Sequence, residues 1–193
     1  FTSRIMNRVR SDEGLAYSAG SAFPGGVYYP LVFIAAFQSK SRTVAYAVSL
    51  MLKEMERITS EPVTDEELQT TINSKIESFP RAFASKAQIA GIFAAEEFTG
   101  RYAKDPNYFK NYRDKIRAVT KADVQRVAKR LLNNDQAAIF IVGQRDEILK
   151  GHPDQAARLH DFAGGKVTEL PLRDPQTLEP LGERKPIAKP DSP

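Results

Sequence analysis

The chain has 193 residues, 41% hydrophobic and 27% charged, enough to bury the core of a single domain. Its 28 basic and 24 acidic residues are interspersed and leave a formal charge of +4, an ordinary mildly basic surface. With no cysteine in the sequence, disulfides, thiolate metal sites and a cysteine nucleophile are excluded.

Phe1 stands where a start methionine would, inside what reads as a helix, which suggests a piece of a longer chain. Thr2 or Ser3 can cap that helix, Ile5, Met6 and Val9 form its apolar side, and Gly14 is placed to end it. From Leu15 to Phe23 the pattern changes to period two, with Leu15, Tyr17 and Phe23 on one side and the small Ala16, Ser18, Gly20 and Ala22 on the other. Pro24 to Gly26 make a turn, and the apolar run from Val27 to Phe37 predicts a buried strand antiparallel to the first. Self-association through the open edge of this hairpin, giving a homodimer, is expected if it lacks further strands. The run Leu31–Phe37 is far shorter than the roughly 20 residues of a membrane helix, so no span is predicted.

Val44, Val48, Met51, Leu52, Met55 and Ile58 recur at helical spacing over about Ser41 to Thr59. Thr64 and Glu67 spell a capping box for a second helix with Leu68, Ile72, Ile76 and Phe79 as its apolar stripe. Pro80 should interrupt it, after which Phe83, Ala87, Ala90 and Ala94 resume the period towards Phe98 and Gly100. Helices from Pro106 to about Arg117 and from Thr120 follow, then a third strand over 136–143. Residues 171–193 hold six of the twelve prolines, which reads as a tail that does not order itself. The organisation expected is one domain over 1–165 and a Pro-rich tail over 166–193, and the fold class α+β, an antiparallel sheet with helices on one side.

Few residues suggest chemistry. His152 and His160 are the two histidines, with Pro153 between them and neither H-E-x-x-H nor its inverse anywhere, so they read as surface residues and no metal site is predicted. Tyr102, Tyr108, Phe109 and Tyr112 alternate with basic residues in the manner of a single-strand nucleic-acid binder. Helical spacing instead sets Phe109, Tyr112, Ile116 and Val119 on one packing face, and no nucleic-acid partner is predicted. The acid pairs at 66–67 and 96–97 diverge on a helix and read as solvated or capping groups.

The stretch RSDEGLAYS, residues 10–18, is different. It sets Arg10 at a helix end and Tyr17 on the strand that follows a tight reversal at Glu13 and Gly14, so the two side chains can converge. A permanent cation with forked donors and a phenol are poor general bases; together they suit holding a carbonyl oxygen or a carboxylate. Spacing alone points rather to a helix-capping arginine and a half-buried strand tyrosine.

Taken in order, residues 1–18, PVTDEELQTTINSKIES, the run Tyr108–Asn133 and the segment ending in Val142–Gly143 resemble the C-terminal domain of the insulinase/pitrilysin metallopeptidases, the inverzincins. The resemblance implies a substrate-binding, non-zinc half whose arginine–tyrosine pair, here Arg10 and Tyr17, reaches the scissile carbonyl of a peptide substrate. It implies that this chain has no catalytic residue and binds no cofactor. Zinc would belong to an N-terminal domain or partner subunit, and the chain alone would be inactive. Related members of that fold serve instead as structural or assembly subunits, the alternative reading. No targeting segment is apparent, and periplasm and cytoplasm stay equally open.

Overall fold

The computed structural model describes residues 3–183 and 185–187. It is an α+β structure whose chain divides into two compact units: Phe1–Ala22, Ile34–Glu56 and Asn133–Pro193 form the first, Phe23–Phe33 and Arg57–Leu132 the second.

The first unit opens with α1, Arg4–Met6, capped by Ser3, whose hydroxyl accepts from the Met6 N–H at 3.3 Å; Thr2 lies outside the described residues. The chain then widens into a π-helical turn, Asn7–Asp12. Strands β1, Ala16–Ala22, and β2, Ile34–Ser39, pair antiparallel. A 3-10 turn, Ser41–Thr43, leads into α2, Val44–Ser60. Ile5 and Val9 before the hairpin, Ala16 and Ala19 on β1, and Ala47, Leu50 and Met51 on α2 make one buried cluster. Small residues on β1 let the helices lie close to one face of the hairpin, and each aliphatic side chain taken out of water there contributes about 1.5–3 kcal/mol. Val9 is completely buried.

Two strand expectations are corrected. The second strand starts at Ile34 rather than Val27, and Val27, Tyr28, Tyr29, Leu31 and Val32 are exposed. Residues 136–143 do not form a third strand: Asn134–Gln136 is a 3-10 turn and the remainder pairs with nothing among the described residues. Their composition is that of a strand, but a strand exists only where a second backbone supplies donors and acceptors. Helix α8, Arg145–Lys150, follows. Further on, β3, Thr168–Glu169, pairs with β4, Lys185–Pro186, and Arg173 bridges Pro180, so part of the segment expected to lack order is a small hairpin. Residues 184 and 188–193 of that segment lie outside the described ones.

The second unit is helical. Its α3, Asp65–Ser78, starts at the Thr64–Glu67 capping box, with the Thr64 hydroxyl accepting from the Glu67 N–H at 3.1 Å and the Glu67 carboxylate accepting from the Thr64 N–H at 2.8 Å. Pro80 ends it in a 3-10 turn, Phe79–Phe83. Next come α4, Lys86–Thr99, the short α5, Arg101–Lys104, α6, Tyr108–Arg117, and α7, Lys121–Leu131. Of the interleaved aromatics, Tyr108, Phe109 and Tyr112 are packing residues, whereas Tyr102 is exposed: Phe79 stacks on Tyr112 with centroids 4.4 Å apart, Phe83 meets Phe109 edge-on at 5.4 Å, and Tyr108 meets Phe109 edge-on at 5.2 Å. Helix α4 departs from its expected stripe, because Ala87, Ala90 and Ala94 are exposed along with Phe93 and Phe98. The turn at Pro80 separates α4 from the stripe of α3, and only Phe83 of the continuing period stays half-buried in the aromatic cluster.

At α7 the Thr120 hydroxyl donates to Asp123 at 2.6 Å while accepting from the Asp123 N–H at 3.2 Å. These bonds, led by the Thr120 hydroxyl and followed by Arg126, hold the Asp123 carboxyl below the ordinary aspartate range. A depressed folded value means that its stabilising effect is complete above the unfolded value, about 3.9, and is lost as pH falls through the lower folded one. Urea midpoints measured from neutral pH down through that window should therefore fall less steeply for Asp123→Asn than for the parent. Among the described residues no helix is long and apolar enough to cross a membrane.

Candidate functional site

The site is built on the reversal between the π turn and β1. A π turn spaces its carbonyls more widely than an α-helix, and here the Leu15 N–H reaches back to the Val9 carbonyl at 3.0 Å while the Gly14 N–H donates to that of Arg10 at 3.1 Å. Gly14 takes φ +62°, the left-handed conformation that closes a helix end cheaply only in glycine. The chain so reversed brings Arg10 and Tyr17 together: the Arg10 guanidinium carbon lies 5.3 Å from the centroid of the Tyr17 ring. That is cation–π range.

A β-bulge decides how Tyr17 is presented. Ala16 opposes Ser39 and Ala19 opposes Phe37, so three steps along β1 match two along β2. The extra residue breaks strict alternation, and both Tyr17 and Ser18 are exposed between the buried Ala16 and Ala19. Bulges re-aim side chains in this way. At 84% exposure the Tyr17 side chain stands largely in solvent with Arg10 beside its ring. Nothing lies within 4 Å of where a Cβ on Gly20 would stand, so β1 is open there to the approach of another backbone.

Glu13 anchors the reversal. Its carboxylate pairs with Arg8 at 3.1 Å and accepts from the Tyr46 hydroxyl on α2, a residue packed against the core cluster. Burial first, then the hydrogen bond to Glu13 and its charge, raises the Tyr46 phenol above its usual value, with Arg8 opposing. Tyr46 thus stays a neutral donor and ties the turn carrying Arg10 and Tyr17 to the longest helix of the unit. Sequence reasoning missed Tyr46, because the tether spans residues far apart in the chain; a lone tyrosine among the small and aliphatic residues of α2 was the available signal.

Among the described residues no group of three or more His, Cys, Asp or Glu side chains comes together as a metal centre requires. The histidines depart from the surface reading. His160 is buried with its Nε2 3.2 Å from the Ile187 carbonyl oxygen, and His152 is half-buried, its Nδ1 accepting from the Asp154 N–H at 3.0 Å and its ring against Tyr46. Both have structural duties. Equilibrium dialysis with zinc should accordingly retain less than one tight equivalent per chain, and a stoichiometric, slowly exchanging ion would contradict this.

The acid pair at 96–97 is also corrected. Glu96 is only 2% exposed and accepts three hydrogen bonds from the fork of Arg101, Nε to its two oxygens at 2.7 and 2.9 Å and Nη2 to Oε1. Gly100, at φ +65°, turns the chain so that Arg101 folds back over the last turn of α4 and over the Tyr108 ring at 4.2 Å. The Glu96 hydrogen bond is the main reason that the arginine is held even more firmly protonated.

The first unit therefore defines a class: a helix–hairpin–helix module that displays a cation and a phenol side by side and assembles no metal centre among its described residues. Residues 1–75 match the family model described as the peptidase M16 inactive domain, the family of insulinase and pitrilysin that the sequence resembles. The match covers α1, the hairpin, α2 and most of α3, and it supports a non-catalytic partner domain of M16 peptidases. The Tyr108–Asn133 and Gln136–Gly143 segments lie outside it. No curated protein matches the chain.

Proposed function

We propose that this chain is the substrate-binding half of a zinc metallopeptidase, in which Arg10 and Tyr17 hold the carbonyl of the scissile peptide bond near a zinc site supplied by another domain or subunit. The observation that carries the reading is the 5.3 Å approach of the Arg10 guanidinium to the exposed Tyr17 ring, within the region that matches the inactive domain. Both groups are donors, and a carbonyl oxygen that gains negative charge as it is attacked is the acceptor that two donors favour most in the transition state. Neither residue takes up a proton readily at neutral pH, so the general base and the metal belong to the partner.

Binding is tested without the partner by titrating an unstructured peptide into the chain carrying 13C-labelled tyrosine rings. Saturable shifts confined to Tyr17 and abolished by Arg10→Ala support the clamp. A Tyr17 signal indifferent to peptide would leave the fold with an assembly role instead.

A further inference from the structure

The loop that follows α8 is held by more bonds than its length requires, and it carries His152. Gly151 ends α8 at φ +71°, its N–H donating to the Ile148 carbonyl at 3.2 Å. The Arg158 side chain lies across it so closely that a Cβ on Gly151 would stand 2.9 Å from Nη1. That guanidinium closes its own loop, with Nη1 donating to the carbonyls of Gln155 at 2.8 Å and Ala157 at 2.9 Å, and the Arg158 N–H donates to Asp161 at 2.7 Å. Pro153 disfavours helical backbone at His152. The Asp154 N–H donates to Nδ1 of His152 at 3.0 Å. An imidazole that accepts through Nδ1 carries its proton on Nε2, so this one bond selects the tautomer and holds the ring.

The ring so held stands against Tyr46, centroids 5.6 Å apart and planes at 63°, the edge-to-face arrangement that aromatic pairs favour. Tyr46 in turn donates to Glu13, and the Glu13 N–H donates to the carbonyl of Arg10. His152, Tyr46, Glu13 and Arg10 are thus one contiguous series within the first unit. A half-buried phenol can leave its acceptor by rotating about its side-chain bonds, and a fixed ring packed edge-on against it removes that freedom. We infer that His152 is a positioning residue for the Arg10–Tyr17 pair: by pinning the Tyr46 ring it keeps the hydroxyl on Glu13, and so keeps the reversal in the shape that sets the guanidinium beside the phenol. Its effect on peptide rests on the proposed clamp, whereas its effect on the shape of the reversal is a property of the free chain.

The chain carrying 13C-labelled tyrosine rings tests the second of these without peptide. In His152→Ala the Tyr17 resonances should move towards those of an unstructured tyrosine while helical circular dichroism stays that of the parent. His152→Phe, which restores a ring against Tyr46 without the Nδ1 acceptor, should keep the parent Tyr17 spectrum. His152→Asn, which keeps an acceptor for the Asp154 N–H and has no ring, should not. With an unstructured peptide added, His152→Ala should bind roughly 2- to 12-fold more weakly than the parent, the range that loss of one aromatic pair implies. Tyr46→Phe removes the hydroxyl that reaches Glu13 and should cost a similar factor, and the double variant should cost no more than either single one, because both act through one bond. A Tyr17 spectrum unchanged in His152→Ala, or one restored by His152→Asn and not by His152→Phe, overturns the inference, and so do binding losses that multiply in the double variant. Tyr17 resonances that move as expected in a chain whose parent form binds no peptide overturn the clamp and uphold the positioning.

Discussion

Tyr17→Phe is expected to lower peptide turnover roughly 100- to 1,000-fold when the chain acts with a zinc-bearing partner, the usual cost of one oxyanion-type donor. The substitution keeps the ring against Arg10 and removes only the O–H. Because the side chain is exposed on a bulge and outside the buried cluster, stability and the zinc content of the assembly should not change. Arg10→Lys should fail nearly as badly, since an ammonium is a point charge without the planar fork and rests differently on the ring. Steady-state cleavage of a fluorogenic peptide, with metal analysis and thermal melting in parallel, separates these effects. Wild-type turnover by Tyr17→Phe would show that the tyrosine is a strand residue with a polar tip. Peptide binding by the chain alone can survive that result, so the turnover measurement and the titration report on different parts of the proposal.

Arg101→Met is expected to destabilise the protein by about 3 kcal/mol, near the lower end for a buried pair stripped of one partner because water reaches one side of the arginine. The effect comes less from the lost attraction than from the Glu96 carboxylate, left almost wholly buried without its forked donor. Loss of the guanidinium from the Tyr108 ring adds to it. Adding Glu96→Gln should recover much of the loss, since a neutral amide is far cheaper to bury. Urea denaturation of the parent, both single variants and the double variant closes the cycle. Equal stability of Arg101→Met and the parent would mean that Glu96 finds water or another donor when the arginine is gone.

The sequence by itself determined the features whose physics is local. Capping boxes at Thr64 and Thr120, the interruption at Pro80 and the left-handed stops at Gly14 and Gly100 each depend on a few adjacent residues, and each stands where the pattern puts it. The antiparallel pairing of two strands and the apolar side of α2 were legible for the same reason, although the second strand starts only at Ile34 and alternates exposed with half-buried residues where a buried one was expected. Even the meeting of Arg10 with Tyr17 could be read, because seven residues and one tight reversal leave the two side chains few places to go.

Only the tertiary structure decided what depends on a second, distant piece of chain. The extra residue in β1 that turns Tyr17 outward arises from its register against β2, which no residue of β1 announces alone. Tyr46 becomes the tether of the reversal because α2 packs on the cluster beside Glu13. Glu96 is buried, against the ordinary habit of its residue type, because Gly100 returns an arginine over it. The six residues from Ala137 to Val142 have every local attribute of a strand and still form none here, since a strand's hydrogen bonds, unlike a helix's, must be supplied by another backbone.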